Sequence, residues 1–380
     1  MKILAIETSC DETAIAILDV EKKKKFSILS HAVASQIKIH EQFGGVFPMM
    51  AKREHAKAIV PLLLKALESA KMIQSGQTRI RKEKTIAQLL DREHELHDVF
   101  VRELSKIQKP DIDRIAVTVG PGLEPALWVG INFARALSIL WNIPIIPVNH
   151  MEGHVLSIVV PKNTTEFSIT PLKESFPAIS LLVSGGHTEI VLAKKIGSYK
   201  VIGKTRDDAA GEAFDKVARM LGLPYPGGPE ISKYAESFRH TGMQNDISLP
   251  RPMIGTPDFD FSFSGLKTAV LYMIKKIPEL TDEIKKKIAC EFEDAVCDVL
   301  IKKTLKASIK FKAKSIIVGG GVSANKQLAK RLTEESGIPV FFPSKELSTD
   351  NAVMIGIASA FGRKARVNSK RLKAKGNMEL

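Results

Sequence analysis

The sequence predicts a duplicated α/β fold, in which two lobes repeat the same design. Apolar residues 3–6 and 14–18 enclose a polar segment, residues 7–13, and this pattern is typical of two strands joined by a loop. Residues 178–193 repeat the pattern around a Gly-Gly turn, about 175 residues later. Both loops are rich in hydroxyl groups and small residues, which suits the binding of phosphate oxygens. Two unrelated hairpins would give the same pattern, so the repeat alone leaves that alternative open.

The length of the chain, 380 residues of which 44% are apolar, allows two lobes that each bury a core. We expect an N-terminal lobe in residues 1–175 and a C-terminal lobe in residues 176–362. The last segment, residues 363–380, carries seven Lys or Arg residues and one Glu. We expect it to be a disordered basic tail, solvated or in contact with RNA.

Two strands are followed by glycine turns and helices. Residues 115–119 lead into a Gly-Pro-Gly turn and a helix at 128–140, and residues 315–318 lead into three glycines and a helix that starts near Ala324. This order presents backbone N–H groups at a helix N-terminus, where an anion can bind. Tight packing of the backbone would explain the glycines equally well.

A charged insertion is predicted between about residues 73 and 109, which are helix-forming and poor in aromatic side chains. A broken apolar stripe runs through it at Ile80, Ile86, Leu89, Leu90, Leu96 and Val99. We expect an amphipathic or antiparallel helical excursion whose simplest role is a solvated insertion.

The formal net charge of +14 favours a polyanionic partner, although Lys-rich surfaces also occur in proteins that bind no nucleic acid. No apolar run approaches the roughly 18 residues of a membrane-spanning helix, and the first residues lack a signal-peptide pattern. Three cysteines, Cys10, Cys290 and Cys297, cannot form a disulfide framework. We therefore expect a cytoplasmic protein with no membrane partner.

A candidate metal site begins at His150 and His154, directly after a short buried strand at 143–148. Histidines at i and i+4 lie on one helix face and can bind one metal, although ordinary helix histidines are more common. Asp350 is the candidate third ligand, with helix capping as the alternative. Two histidines and one carboxylate leave coordination positions open for a substrate. We expect the histidines from one half of the molecule and Asp350 from the other.

The same segment argues against a zincin protease, because Glu152 does not directly follow His150 as the H-E-x-x-H pattern requires. Further along the chain, the acidic residues Asp208, Glu212 and Asp215 would share a face of a helix. They could accept hydroxyl or amine protons of a ligand, or form a solvated acidic face. The Gly-Gly turn at residues 227–228 lets the backbone approach a ligand closely.

These segments together resemble the TsaD family, the tRNA adenosine threonylcarbamoyltransferases. The matching stretches are, in order, residues 6–13, 44–48 with Arg53 and His55, 120–123, 150–154, 182–188, 207–216 with the glycine turn that follows, 263–268, 319–325 and 349–352. The resemblance covers nearly the whole chain. It implies the actin/Hsp70-like (ASKHA) two-lobe fold, with the charged segment as a helical insertion longer than the usual connection.

The resemblance also assigns site residues. It implies that His150, His154 and Asp350 bind one divalent metal, Fe(2+) in most members and Zn(2+) as the alternative. It implies substrate binding by Leu182, Val183, Ser184, Gly185, Gly186, Asp215, Gly228 and Asn325. Ser232 stands where many members carry Asp, and this departure would weaken one polar contact.

The implied activity is transfer of threonylcarbamoyl from threonylcarbamoyl-adenylate to N6 of adenosine 37, giving t6A and AMP. The substrates would be tRNAs that read codons beginning with adenine. We interpret Asp11 or Glu12 as the acceptor of the amine proton, while turn formation explains both acids as well. The partners implied are the tRNA anticodon loop, companion proteins of the TsaB and TsaE types or a second copy of the chain, and ATP or AMP.

Two other functions stay open on the sequence. One is a metalloprotease of the glycoprotease type, and the other is a non-catalytic actin/Hsp70-like scaffold that binds ATP.

Overall fold

The computed structural model of the protein describes residues 1–21, 25–76, 78, 80, 82–361 and 371–380. Within these residues the strands are β1 (Lys2–Glu7), β2 (Glu12–Val20), β3 (Lys25–Ser35), β4 (Arg114–Gly120), β5 (Ile145–Asn149), β6 (Glu166–Ser168), β7 (Ala178–Val183), β8 (Thr188–Lys195), β9 (Ser198–Lys204), β10 (Ser315–Gly319) and β11 (Val340–Phe341). The α-helices are α1 (Ile37–Glu41), α2 (Pro48–Ser69), α3 (Glu83–Leu89), α4 (His94–Leu104), α5 (Glu124–Trp141), α6 (His150–Leu156), α7 (Thr170–Glu174), α8 (Ala210–Met220), α9 (Gly227–Arg239), α10 (Ser264–Ile274), α11 (Asp282–Lys310), α12 (Lys326–Glu335) and α13 (Ala352–Phe361). None of these helices is long and apolar enough to cross a membrane.

The first sheet has the strand order β5-β4-β1-β2-β3-β6. Its central strand, β1, pairs in parallel with β4 and antiparallel with β2. β5 extends the parallel side and β3 the antiparallel side. The residues of β1 from Ile3 to Ile6 are all fully buried, as a continuous apolar run in a central strand predicts.

The second sheet repeats this arrangement, with the order β11-β10-β7-β8-β9. Its central strand, β7, pairs in parallel with β10 and antiparallel with β8, and the two outer strands continue each side in the same sense. Five strands in identical chain order and direction in both sheets confirm the predicted duplication. The strand–loop–strand openings are the β1–β2 and β7–β8 hairpins.

The described residues divide into two compact units. The first contains residues 1–38, 46–171 and 349–380, and the second contains residues 39–45 and 172–348. Each has its own apolar core, one around the β1 sheet and one around the β7 sheet.

This division differs from the expected boundaries, which assigned residues 349–361 to the C-terminal lobe. The physical reason is the packing of α13, which is buried from Ala352 to Ser359 and contacts β1, β2, β5 and α6. The fit is close enough that a Cβ on Gly356 would lie 2.4 Å from Cδ1 of Leu18. Helix α13 is therefore a core helix of the first unit.

The described part of the charged insertion packs into the first unit and is not only a solvated insertion. It forms α3 and α4, and main-chain hydrogen bonds join its two ends, including one from Gln108 N–H to the carbonyl oxygen of Gln74 (2.9 Å). Its apolar stripe contributes Ile86, Leu90 and Leu96 to the core of the first unit. Residues 77, 79 and 81 of the insertion lie outside the described residues.

The C-terminal residues 371–380 pack against the first unit, so the expectation of a disordered tail is wrong for them. The reason is that Leu372 is buried in the core, and Arg135 donates a hydrogen bond to its carbonyl oxygen (2.6 Å). Lys375 N–H donates to the carbonyl oxygen of Val119 (2.8 Å). The rest of the predicted tail, residues 363–370, lies outside the described residues.

Gly120 provides a test of this packing, because its φ is +151° and a Cβ there would lie 2.0 Å from the carbonyl oxygen of Lys375. We expect Gly120→Ala to lower the free energy of unfolding by about 2–4 kcal/mol, measured by urea denaturation. Gly337→Ala, which places its Cβ in open space, is the control. In a chain that ends at residue 370, Gly120→Ala should lower the free energy of unfolding by less. An equal loss in that shortened chain would show that residues 371–380 do not pack closely against Gly120.

Candidate active site

Two histidines of α6 direct their Nε2 atoms to the same position. Asn149 caps this helix, since its Oδ1 accepts hydrogen bonds from the N–H groups of Met151 (2.8 Å) and Glu152 (3.3 Å). The helix thus begins at His150, which places His150 and His154 one turn apart on the same face. Their Nε2 atoms lie 3.1 Å apart and both rings are buried.

Asp350 completes the group. Its Oδ1 lies 3.3 Å from Nε2 of His150 and 3.2 Å from Nε2 of His154. The alternative role for Asp350, capping of α13, is filled by Asn351, whose Oδ1 accepts the N–H of Met354 (2.9 Å). The helix cap therefore leaves the Asp350 carboxylate available to the two imidazoles. All three side chains belong to the first unit, so the expectation that Asp350 comes from the other half is wrong.

Glu7 orients the first imidazole. It ends β1, is fully buried, and its Oε2 lies 3.1 Å from Nδ1 of His150. Thr118 donates its hydroxyl to the same oxygen (2.6 Å), and Ser9 N–H donates to Oε1 (2.6 Å). With Nδ1 held by a carboxylate, Nε2 of His150 is the nitrogen left to face Asp350, as in carboxylate–histidine–metal sites.

Burial and the facing charges together set the protonation of this group. Burial lowers the pKa of His150, but the facing carboxylates of Asp350 and Glu7 outweigh burial and hold the pKa well above its ordinary value. Burial dominates at His154 and lowers its pKa. At Asp350 burial raises the pKa, but the two imidazoles outweigh it and hold the pKa below its usual range. Asp350 therefore carries a negative charge directed at both Nε2 atoms.

This donor set fits a metal ion. The ligand atoms are separated by 3.1–3.3 Å, and ligands bonded at about 2.1 Å to a tetrahedral ion would lie about 3.4 Å apart. Of the described residues, His150, His154 and Asp350 form the group of three or more His, Cys, Asp or Glu side chains that could hold one. Two histidines and one carboxylate would leave positions for substrate oxygens.

The predicted catalytic acids lie in the loop that follows Glu7. Glu12 is the first residue of β2, is 7% exposed, and accepts a hydrogen bond from Oγ of Ser35 (3.4 Å). Burial, followed by the nearby charges of Asp11 and Asp350, raises the pKa of Glu12 well above its ordinary value. A carboxylate with a raised pKa is a better proton acceptor once ionised.

In the second unit, the predicted ligand loop follows β7, which ends with the buried residues Leu182 and Val183. The loop turns through Ser184, whose N–H donates to the carbonyl oxygen of His187 (2.8 Å). Gly185 and Gly186 are exposed, and a Cβ on either would meet no atom within 4 Å. The loop therefore presents accessible backbone.

The N-terminus of α8 meets this loop. Gly211 N–H donates to the carbonyl oxygen of Ser184 (3.2 Å), and Ala210 N–H donates to Oγ1 of Thr188 (2.8 Å). A Cβ on Gly211 would lie 2.6 Å from the Ser184 oxygen, so the helix approaches the loop as only glycine permits. The positive end of the α8 dipole thus lies beside Gly185 and Gly186.

Asp215 and Gly228 are brought together by α8 and α9. Oδ1 of Asp215 accepts the N–H of Gly227 (2.7 Å), which ties α8 to the first residue of α9. A Cβ on Gly228 would meet no atom within 4 Å. Asp215 also lines a cleft of about 510 Å³ within the second unit, together with Phe43, Arg219 and Tyr225.

Asn325 is part of a buried polar group that the sequence did not indicate. Its Nδ2 donates to Oε1 of Glu293 (2.7 Å) and to Oγ of Ser232 (3.0 Å), while its Oδ1 accepts Leu328 N–H (2.8 Å) and caps α12. Ser232 donates to the same Oε1 of Glu293 (2.6 Å), and Arg239 donates to Oε2 (2.6 Å). Glu293 is 1% exposed, so these four side chains form one compensated cluster.

The sequence matches the family described as TsaD, tRNA N6-adenosine threonylcarbamoyltransferase, over residues 27–80 and 99–357. The tRNA N6-adenosine threonylcarbamoyltransferase of Burkholderia lata is 42% identical over 369 residues, which cover 95% of this chain and 92% of the relative. The protein of the same description from Burkholderia cenocepacia matches to the same extent. The chain belongs to the TsaD family.

The match to the TsaD family has a gap at the charged insertion. The family match is interrupted at residues 81–98, which lie in the charged insertion and include α3.

Among solved structures, full-length HypF in the phosphate- and nucleotide-bound form has a TM-score of 0.52 at 12% identity, covering 94% of this chain and 54% of the HypF chain. This likeness shows the fold alone. The predicted α/β fold class, duplicated and actin/Hsp70-like, is confirmed.

Sequence reasoning missed two residues of the site, Glu7 and Glu293. Glu7 had a signal, because a single carboxylate at the end of an otherwise apolar buried strand needs compensation. Glu293 lies in the middle of the 29-residue helix α11, where other acids precede and follow it. Its burial depends on Ser232 and Asn325, distant in sequence, so no local pattern distinguishes it.

The contact between Glu7 and His150 predicts a change in metal affinity. Glu7→Gln keeps the shape of the side chain but removes the charge that faces Nδ1 of His150. We expect metal binding to weaken by about 10–100-fold, measured by calorimetric titration of the metal-free protein with Zn(2+). Glu152→Gln removes the acid between the two histidines and should leave the affinity unchanged. Wild-type affinity in Glu7→Gln would contradict this role.

The cluster around Glu293 gives Ser232 a structural role and predicts the effect of an acid at this position. Ser232→Asp would place a second carboxylate against Oε1 of Glu293, and two carboxylates at hydrogen-bond distance repel. We expect about 1–3 kcal/mol lower stability at neutral pH, relieved on acidification as the pair takes up a proton, and restored by adding Glu293→Gln.

Ser232→Asn is the matched control, because it has the shape of Asp without the charge. Urea denaturation of the single and double variants at two pH values measures the coupling. Additive effects of Ser232→Asp and Glu293→Gln would rule out charge repulsion as the cause.

Proposed function

We propose that this chain transfers the threonylcarbamoyl group from threonylcarbamoyl-adenylate to N6 of adenosine 37 in tRNAs that read codons beginning with adenine. The products are t6A and AMP. The observation that carries the proposal is the meeting of His150, His154 and Asp350 at one point in a chain of the TsaD family. The threonylcarbamoyltransferases of Burkholderia support it along nearly the whole chain.

One divalent metal would be held by His150, His154 and Asp350. The metal we propose is Fe(2+), with Zn(2+) as the alternative. When bound, the ion would supply a Lewis acid for oxygen atoms of the carbamoyl-adenylate. The chain's own part is to orient the ligands. Glu7 holds Nδ1 of His150. Asn149 fixes the start of α6, which carries both histidines, and Asn351 fixes the start of α13, which directly follows the Asp350 segment.

The second unit would bind the adenylate. Ser184, Gly185 and Gly186 at the N-terminus of α8 offer backbone N–H groups and a helix dipole to phosphate or carbonyl oxygens. Leu182 and Val183 hold this loop on its strand, while Asp215, Gly228 and Asn325 would contact the rest of the nucleotide. ATP or AMP would use the same contacts.

The transfer forms a bond from N6 to the carbamoyl carbon and breaks the bond from that carbon to a phosphate oxygen, so AMP leaves. The adenine amine is a weak nucleophile, because its lone pair is delocalised into the ring. Its proton must be removed as the new bond forms, and we assign this role to Asp11 or Glu12.

The tRNA would be held through its anticodon arm. Bases of a single-stranded loop can be turned outward at lower cost than bases of a duplex. The net charge of +14 suits this polyanion. Companion proteins of the TsaB and TsaE types, or a second copy of this chain, would complete the active assembly.

Depletion of this protein in its own cells, followed by mass spectrometry of tRNA nucleosides, tests the function. We expect t6A to fall, to return with the wild-type gene, and to stay low with Asp350→Ala, because removal of one ligand disrupts the metal group. Glu152→Gln is the control and should restore t6A.

Unchanged t6A after depletion would contradict the proposed function. Restoration of t6A by Asp350→Ala would contradict the role of the metal ligands. The metalloprotease and scaffold alternatives predict unchanged t6A. The protease alternative also predicts metal-dependent cleavage of a glycoprotein that is lost in Glu152→Gln.

A further inference from the structure

The C-terminal segment exposes three basic side chains that have no role in the site described above. Arg371, Lys373 and Lys375 are exposed, whereas Leu372 and Ala374 between them pack against the core of the first unit. The ion pairs of the described residues give none of the three cations a carboxylate partner. We call these three side chains the basic strip.

The basic strip is held in place by main-chain contacts. Lys375 N–H donates to the Val119 carbonyl oxygen (2.8 Å), and the carbonyl oxygen of Gly376 accepts Gly122 N–H (3.0 Å). Because the main chain of this segment is already ordered, binding of a partner costs less backbone conformational entropy here than on a mobile tail.

The segment that carries the basic strip contacts the cap of α6, the helix of the two candidate metal-binding histidines. Nδ2 of Asn149 donates to the carbonyl oxygen of Glu379 (3.1 Å), and Oδ1 of the same side chain caps the helix that starts at His150. The Gly-Pro-Gly loop beneath the segment also approaches the β1–β2 loop, since a Cβ on Gly122 would lie 2.6 Å from the carbonyl oxygen of Ser9.

Cations on this segment would attract the phosphates of RNA and release its counterions. The end of the segment lies beside the start of α6, since the carbonyl oxygen of Glu379 accepts the hydrogen bond from Asn149. The three side chains of the basic strip face solvent.

We propose that the basic strip binds phosphates of the tRNA anticodon arm and so delivers the anticodon loop to the metal centre. This proposal rests on the proposed function, which supplies tRNA as the substrate. The exposure of the three cations, their anchored backbone and the link through Asn149 carry it. Base identity is not read by these contacts, because Lys and Arg on phosphate recognise charge and position.

The test uses the full chain with Arg371→Gln, Lys373→Gln and Lys375→Gln combined. We expect the Kd for unmodified tRNA to rise about tenfold, and the slope of log affinity against log salt to fall by about 2–3, as loss of about three phosphate contacts predicts. The KM for threonylcarbamoyl-adenylate and the kcat at saturating tRNA should stay within about twofold, since the three side chains touch neither reacting group.

A matched control removes the same charge elsewhere on the first unit, with Lys65→Gln, Lys84→Gln and Lys109→Gln, all exposed. An equal loss of tRNA affinity in this control would overturn the proposal, because net charge alone would then explain the effect. Wild-type tRNA affinity in the strip variant would also overturn it. So would loss of companion-protein binding with tRNA affinity intact, which would make the strip a protein interface.

These outcomes are separate from those of the proposed function. The binding measurement requires no transfer, so a wild-type protein that binds tRNA through the strip but forms no t6A would contradict the activity alone. Charge reversal to Glu at the three positions provides a second variant and should weaken tRNA binding further than the Gln substitutions.

Discussion

The buried carboxylate of Glu7 is the constraint on which the candidate metal centre depends. A charge without solvent must be compensated, and Ser9 N–H, the Thr118 hydroxyl and Nδ1 of His150 provide that compensation. The His150 ring is thereby fixed, with Nε2 directed away from Glu7 and toward Asp350. Because β1 and β4 supply Glu7 and Thr118 from the middle of the sheet, the pairing of these strands fixes the position of the carboxylate that orients the ligand.

The sequence was sufficient to predict that His150, His154 and Asp350 lie together, but not that all three belong to one unit. The i, i+4 spacing of His150 and His154 and the position of Asp350 before an apolar helix are local features. The burial of α13 against β1 and β2 is a long-range contact, and a chain that leaves the first unit and returns to it has no local signature. The same reason explains why the packing of residues 371–380 was missed, since their alternation of basic and apolar residues acquires meaning only beside β4 and α5.

The second unit shows a different limit of sequence reasoning. The duplicated strand order and the glycine loop after β7 were predictable from repeated patterns of apolar and small residues. The cluster of Ser232, Glu293, Asn325 and Arg239 was not, because it joins three helices, α9, α11 and α12, around one carboxylate. Ser232 looked like the loss of a polar contact, yet in this chain its hydroxyl donates to Glu293, where a carboxylate at position 232 would meet another negative charge.

The two hairpin loops occupy the same position in the duplicated sheets but have opposite electrostatic character. The β1–β2 loop carries Asp11 and Glu12 and follows the buried charge of Glu7, so it repels phosphate and suits a cation or a proton. The β7–β8 loop carries no acid between Ser184 and Thr188, and the N-terminus of α8 adds a positive dipole beside it. A duplicated frame thus carries two loops of different charge: an anion suits the glycine loop, and a cation or a proton suits the acidic one. The symmetry of the fold therefore does not extend to the electrostatics of its loops.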